Sequence, residues 1–158
     1  MKWIVGLSRL CAILAGLILI FVAVLTCFNL LLRNLSDNSF AGVFEVTAMS
    51  TGAAIALFMP LAQIRHAHII VDFFTTHAPE KMNELLDRLG AFILALTFAM
   101  FSWRTGLGAL NALEVHSETQ IMGIPDGWVY ASMVPPFVLS AVVGLYQTVF
   151  GLDGLKES

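Results

Sequence analysis

At 158 residues the chain has the length of a single domain, and 58% of its residues are hydrophobic whereas only 12% are charged. Water-soluble domains carry about 25% charged residues, so this composition, with a mean hydropathy of +0.85, indicates a protein embedded in membrane lipid. The formal net charge of −3 leaves no broad basic surface, which argues against nucleic acid as a partner.

The first apolar segment is long enough to be a retained membrane helix. Arg9 and Arg33 enclose 23 uncharged residues, whereas the apolar part of a cleaved signal peptide has about 7–15. The sequence therefore predicts a helix over residues 10–32. Its two cysteines, Cys11 and Cys27, lie roughly 24 Å apart along such a helix, too far for a disulfide bond.

Three further segments are also typical of membrane helices, because about 20 mainly apolar residues are needed to cross the hydrocarbon core. They cover residues 46–64, 89–113 and 127–152. The segment 89–113 contains Arg104, which we expect near one membrane face, where its stem can reach water. A short buried or re-entrant segment is the alternative interpretation of this region.

A short amphipathic helix is predicted between the second and third membrane helices. Pro79 suits the first helical position, and Glu80 follows where a helix dipole favours an acid. Apolar residues then recur at helical spacing, with charged residues around the rest of the turn: Met82, Leu85, Leu86 and Leu89. The expected fold is an all-α membrane protein, a single domain over residues 1–158, with four transmembrane helices and this interfacial helix.

Basic residues near the predicted helix ends are concentrated on one side of the membrane. That side carries Lys2, Arg9, Arg65, Lys81, Arg88 and Lys156. The other side carries Arg33 and, at its margin, Arg104. Since basic residues favour the cytoplasmic side, we expect a bacterial inner-membrane protein with both termini and the central loop in the cytoplasm.

The richest polar cluster follows the second predicted helix and consists of Arg65, His66, His68, Asp72 and His77. Histidine and carboxylate groups can bind metal, but side chains two residues apart on a helix point about 200° from each other. No second cluster supplies a clear fourth ligand, so no metal and no cofactor are predicted. The favoured interpretation is an interfacial turn that Asp72 caps and orders. Metal binding, or a proton-linked role for His68 and Asp72, remains as an alternative.

Glu45 is predicted to lie about 30 Å from Arg65, one hydrocarbon thickness away, at the depth of Arg33 and Arg104. These charges could be solvated helix ends, which contribute little. They could instead form an ion pair within the bundle or with a partner chain. A direct role in ion or substrate passage is the least favoured interpretation.

Small residues recur on two predicted helices, at Ala48, Gly52 and Ala56 and at Ser140 and Gly144. Such spacing allows close approach of helices in lipid, within the chain or with a partner. The sequence contains no credible catalytic triad, glycine-rich phosphate loop, row of ionisable groups inside a helix or inverted repeat. We therefore expect neither an enzyme nor a transporter that acts alone.

Several polar residues occur in an order that resembles a known family. Arg33, Glu45 and Ala53-Ala54 are followed by Arg65-x-x-His68-Ile69-x-Val71-Asp72, Pro79, Thr119-Gln120-Ile121-Met122-Gly123-Ile124-Pro125, Trp128, Tyr130 and Pro135. Over roughly residues 30–147 this order resembles the small membrane subunit of tripartite ATP-independent periplasmic (TRAP) transporters. The pair Phe44-Glu45 departs from the paired acids of many members, which weakens any mechanism that needs two carboxylates there.

The resemblance implies a sodium-driven secondary transporter for organic acids, fed by a periplasmic substrate-binding protein. It further implies that a large multi-span permease subunit holds the substrate and sodium sites, while the small subunit braces it. The candidate structural or interface residues are Arg33, Glu45, Arg65, His68, Asp72 and Arg104. The alternative from another class is a four-helix membrane enzyme or metal-binding protein that uses His66, His68, Asp72 and His77.

Overall fold

The computed structural model describes residues 2–36, 40–65 and 80–150, and four helices contain most of them. These helices are α1 (Lys2–Ser36), α2 (Val43–Ile64), α3 (Glu80–Glu114) and α4 (Asp126–Phe150). The described residues contain no strand, and their one extended pairing is an isolated bridge between Glu118 and Pro125. All four helices are long and apolar enough to cross a membrane, which confirms the predicted all-α membrane fold.

All four helices begin earlier than the sequence predicted, α2 and α4 by three residues or fewer and α1 and α3 by eight or nine. α1 starts at Lys2, and α3 starts at Glu80 and continues without a break into the membrane segment. The separate interfacial helix is not confirmed, because its amphipathic residues form the first turns of α3. Gly90, at the junction, costs a helix about 1 kcal/mol. A break in the helix at this junction would cost more than the glycine does, since each backbone group left without a hydrogen bond in lipid costs several kcal/mol.

The helices pack mainly as neighbours in the order α1, α2, α4, α3. The most extensive packing joins α3 to α4, followed by α1 to α2 and α2 to α4. α1 and α4 make few contacts, around a small cluster of Val5, Ile64 and Val143. We call the end that carries the 115–125 connection, where α1 ends and α2 begins, the loop end. The cluster lies at the opposite end.

Small side chains fill most of the helix–helix contacts. The buried apolar residues are mainly alanines, Ala12, Ala15, Ala54, Ala56, Ala91, Ala95, Ala109 and Ala141, whereas most large apolar side chains are exposed. This distribution is the one that lipid favours, because leucine gains nothing by leaving hydrocarbon and small residues let backbones approach closely. Ala56 is buried and Gly52 faces Met133 of α4, so these members of the predicted small-residue set serve packing within the chain.

A pair of amides joins α2 to α4 near the opposite end. Gln147 Nε2 donates a 3.0 Å hydrogen bond to the backbone oxygen of Gln63, and Gln63 Nε2 lies 3.5 Å from Gln147 Oε1. Both side chains are only 2% exposed. Gly144 lies beside this pair, and a Cβ on it would come within 2.9 Å of Ala95 Cβ and 3.1 Å of Ala95 Cα on α3. Gly144 is therefore a point at which α2, α3 and α4 approach one another closely.

The first prediction compares Gly144→Ala with Gly108→Ala. Alanine usually stabilises a helix relative to glycine, by about 0.5–1 kcal/mol. Gly108 of α3 has open space around an added Cβ, so Gly108→Ala should keep or raise thermal stability. Gly144→Ala forces α3 away from α4, and overpacking typically costs about 1–3 kcal/mol. Thermal unfolding of the purified chain in detergent measures both, and a Gly144→Ala chain as stable as Gly108→Ala would contradict the packing described.

Candidate functional site

The carboxylate of Glu45 forms the principal polar contact at the loop end. Glu45 lies in the first turn of α2 and does not cap its own helix, whose N-cap residue is Gly42. Its Oε1 accepts a 3.0 Å hydrogen bond from the backbone N–H of Ile121, and its Oε2 accepts a 3.1 Å bond from that of Met122. One side chain of α2 thus holds two consecutive amides of the α3–α4 connection. We call this arrangement the Glu45 clamp.

The connection is folded into a tight turn that presents these amides. The backbone N–H of Thr119 donates to Ile124 O at 2.9 Å, and that of Gly123 donates to Thr119 O at 3.1 Å. The Thr119 hydroxyl also accepts the Ile124 N–H at 3.0 Å. Gly123 has a φ of +63°, a conformation that glycine adopts without strain. Hydrogen bonds within the turn pair the backbone groups at its two ends. The N–H groups of Ile121 and Met122, which lie between those ends, bind Glu45.

Gly42 allows the turn to lie against the start of α2. Its φ of +93° is unfavourable for residues with a side chain. A Cβ at this position would also lie 2.5 Å from Cγ of Met122 and 2.9 Å from its sulfur. Both the backbone conformation and the close approach therefore require glycine, and any larger residue would push Met122 away from Glu45.

Further hydrogen bonds close the two ends of the connection. The Asp126 N–H donates to Ser117 O at 3.0 Å, and the Ser117 hydroxyl donates to Asp126 Oδ2 at 2.7 Å, across the start of α4. On the neighbouring side, Asn29 Oδ1 of α1 accepts the Phe40 N–H at 2.9 Å. The loop end is thus held by hydrogen bonds that involve both side chains and backbone groups.

The two arginines expected beside Glu45 do not pair with it. Arg33 and Arg104 are exposed and form no ion pair with any residue that the structure describes. Arg104 lies level with the middle of α4 rather than with Glu45, because the ring of its neighbour Phe101 lies 6.0 Å from that of Phe137, and a Cβ added at Gly106 would lie 4.0 Å from Val134. The ion pair within the bundle, one of the alternatives for these charges, is not formed among the described residues, where backbone amides bind Glu45 instead. Pairing of Arg33 or Arg104 with a partner chain stays a prediction. A carboxylate can accept its hydrogen bonds from backbone N–H groups instead of from a basic side chain. No sequence pattern shows which backbone N–H groups will bind it.

Of the other predicted site residues, the structure describes Arg65, which lies at the opposite end. Arg65 is the exposed C-cap of α2, and its N–H donates to Leu61 O at 3.0 Å. His68 and Asp72, like His66 and His77, lie outside the described residues, so the proposed cap at Asp72 stays a prediction. Within 2–36, 40–65 and 80–150 no group of three or more histidine, cysteine or acidic residues could hold a metal ion.

Sequence reasoning missed Gly42, the amides of Ile121 and Met122, and the pair Gln63–Gln147. Two signals were available. A glycine stands just before α2, and the stretch Thr119–Pro125 combines a hydroxyl residue, a glycine and a proline, as turns do. Neither signal tells which distant acid would bind the turn.

Comparison with known protein families gives a match that covers most of the chain. The family model described as "Tripartite ATP-independent periplasmic transporters, DctQ component" matches residues 22–153. That range contains the Glu45 clamp and the Gln63–Gln147 pair. Comparisons with curated proteins and with solved structures gave no match.

The second prediction concerns Glu45→Gln. An amide offers one acceptor oxygen in place of two, and it turns an N–H₂ group toward a backbone N–H. Since a hydrogen bond to a charged group contributes about 1.5–3 kcal/mol, the free energy of unfolding should fall by about that amount. Hydrogen exchange of the Ile121 and Met122 amides should accelerate.

The matched control is Glu114→Gln, which also removes one negative charge near the loop end but from an exposed side chain. It should leave both measurements unchanged. Equal effects from the two variants would mean that net charge, and not the clamp, stabilises the connection.

Proposed function

Since the chain belongs to the DctQ family of TRAP transporter components, we propose that it braces the large membrane subunit of a sodium-coupled transporter for organic acids. The chain is the small permease subunit of a TRAP transporter. It is a transporter component and not an enzyme. The observation that carries this conclusion is the family match over residues 22–153, most of the chain. Sodium coupling, the organic acid substrate and the bracing role are the proposed part.

The distribution of polar groups supports an accessory role. Among the described residues, the buried polar side chains are those of Ser8, Gln63, Ser140 and Gln147. The two serines donate to backbone oxygens of their own helices, Ser8 to Ile4 and Ser140 to Pro136, both at 2.9 Å. The two glutamines bind each other, and Gln63 Oε1 alone among their polar atoms has no hydrogen-bond partner in the part of the chain that the structure describes. These groups are used in packing, whereas a membrane substrate site needs polar groups directed at a cavity.

The two fixed ends of the helix unit support the bracing role. The Glu45 clamp joins α2 to the α3–α4 connection at the loop end, and the Gln63–Gln147 pair joins α2 to α4 near the opposite end. A unit held at both ends resists bending and shear between its helices. In a tripartite system it would give the moving parts of a large permease a fixed support, while a periplasmic binding protein delivers the substrate.

We further propose that the loop end faces the periplasm and that both termini are cytoplasmic. Arg65 and Arg88 lie toward the opposite end, and the loop end carries the acids Glu45, Glu114, Glu118 and Asp126. Basic residues near helix ends favour the cytoplasmic side.

The third prediction concerns transport. Proteoliposomes that contain this chain alone should show no uptake of an organic acid, because the proposed substrate site lies on another subunit. Uptake should appear when the large permease subunit and the binding protein are added under an inward sodium gradient, and a potassium gradient should not replace it. Uptake by the isolated chain would contradict the accessory role.

The fourth prediction concerns orientation. Cys11 and Cys27 are first replaced, and a single cysteine is then placed at Glu118 in the loop or at Met82 near the start of α3. An impermeant maleimide applied to spheroplasts with intact inner membranes should label Glu118→Cys, and should label Met82→Cys only after the membrane is opened. The reverse labelling pattern would invert the proposed topology.

A further inference from the structure

Arg104 is an exposed cation on a membrane helix. It lies on α3 among apolar neighbours, next to Trp103, which is 71% exposed. No hydrogen bond or ion pair joins its guanidinium to any residue that the structure describes. Ionisable residues within membrane spans almost always face protein or a water-filled cavity, so a group beyond the described residues should pair with Arg104.

The depth of Arg104 indicates what that partner is. Arg104 precedes Glu114 by ten residues, roughly 15 Å of helix, and follows Arg88 by 16 residues, roughly 24 Å. It is therefore well inside an apolar core about 30 Å thick. Helical side chains also lean toward the amino terminus of their helix, which for α3 is away from the nearer membrane face. A lipid phosphate at that face is thus poorly placed to bind it.

The exposed face beside Arg104 has the spacing of a helix-packing seam. Its residues recur at alternating intervals of three and four, and all of them are exposed: Ile93, Leu96, Met100, Trp103, Leu107 and Leu110. This is the 3.5-residue repeat by which one helix packs along another, and the positions that flank such a seam carry the charges that pair between helices. Arg104 occupies a flanking position, directly after Trp103.

α1 provides an internal comparison. Its exposed residues Leu10, Ile13, Leu17, Ile20 and Val24 have the same spacing. The positions that flank them are Arg9, directly before Leu10 at the first turn of this face, and then Leu14, Gly16, Phe21 and Ala23, none of which is charged. The α1 face therefore has its one flanking cation at its end, whereas the α3 face has Arg104 between its ends. Lipid can cover the inner part of the α1 face without leaving a charge unpaired.

We propose that the face of α3 formed by Ile93, Leu96, Met100, Trp103, Leu107 and Leu110 docks against a membrane helix of the large permease subunit that carries a carboxylate opposite Arg104. This inference rests on the proposed function, which supplies the large subunit as a partner. The carboxylate neutralises the guanidinium within the hydrocarbon layer, and the apolar seam provides the contact area on both sides of the pair. The ion pair fixes the register of the two helices, since a shift along the seam would leave both charges unpaired.

The charge is tested with Arg104→Leu, Arg104→Lys and the control Arg9→Leu, each co-expressed with the large subunit and purified through a tag on the small subunit. Removing one member of a buried charge pair leaves the other unpaired, so Arg104→Leu should lower the co-purified large subunit about tenfold or more. Arg104→Lys should retain most of it, and Arg9→Leu, an exposed cation on α1, should behave as wild type. The isolated Arg104→Leu chain should unfold no earlier than wild type, because leucine is the better residue in lipid.

The surface is tested by a photo-crosslinking amino acid at Met100 or at Ile13, which are 65% and 66% exposed on α3 and α1 respectively. Met100 should crosslink to the large subunit, and Ile13 to lipid alone. Crosslinking of Met100 only to lipid, together with a normal yield of complex from Arg104→Leu, would assign Arg104 to a lipid phosphate and overturn the docking surface. A wild-type chain that brings down no large subunit would overturn the proposed function itself, and the docking surface with it.

Discussion

Helices in a lipid bilayer gain nothing by hiding leucine from their surroundings, so close contact between backbones is what holds this chain together. Alanines fill most of the contacts, and Gly144 allows α3 and α4 to approach to a distance that excludes even one methyl group. The large apolar side chains are left on the outside as a consequence. The same constraint explains why Arg104, a cation on that outer surface with no partner among the described residues, points to a further binding partner.

Polar contacts supply the specificity that apolar packing in lipid lacks. At the loop end an acid from α2 binds two backbone amides of the α3–α4 connection, and near the opposite end two amide side chains join α2 to α4. Both contacts pair side chains with backbone groups, and such groups are costly to leave unpaired in a membrane. They therefore select one arrangement of helices among the many that similar apolar surfaces would allow.

The four helices could be predicted from the sequence because a helix that crosses a membrane needs a long apolar segment, and the length of such a segment can be read directly. The start of α3 could not, since residues 80–89 suit an interfacial helix and the first turns of a long one equally well. Glu45 was identified as either a solvated charge or a member of an ion pair, and it lies at the end of α2 that the sequence indicated. Its partners were not predictable, because every residue except proline has a backbone N–H. Gln63 and Gln147, far apart in the chain, gave no sign that they would meet.

The order α1, α2, α4, α3 has a consequence for how the chain assembles in the membrane. α1 packs on α2 and α3 packs on α4, so each of these two hairpins joins segments that are adjacent in the sequence. The seam between α2 and α4 is different, because it brings together residues such as Gln63 and Gln147, which are 84 positions apart. Contacts between distant segments form late, since the entropy of closing the intervening chain must be overcome first. Biogenesis therefore consists of three steps. The α1–α2 hairpin and the α3–α4 hairpin each insert into the membrane, and the two hairpins then associate laterally within the bilayer.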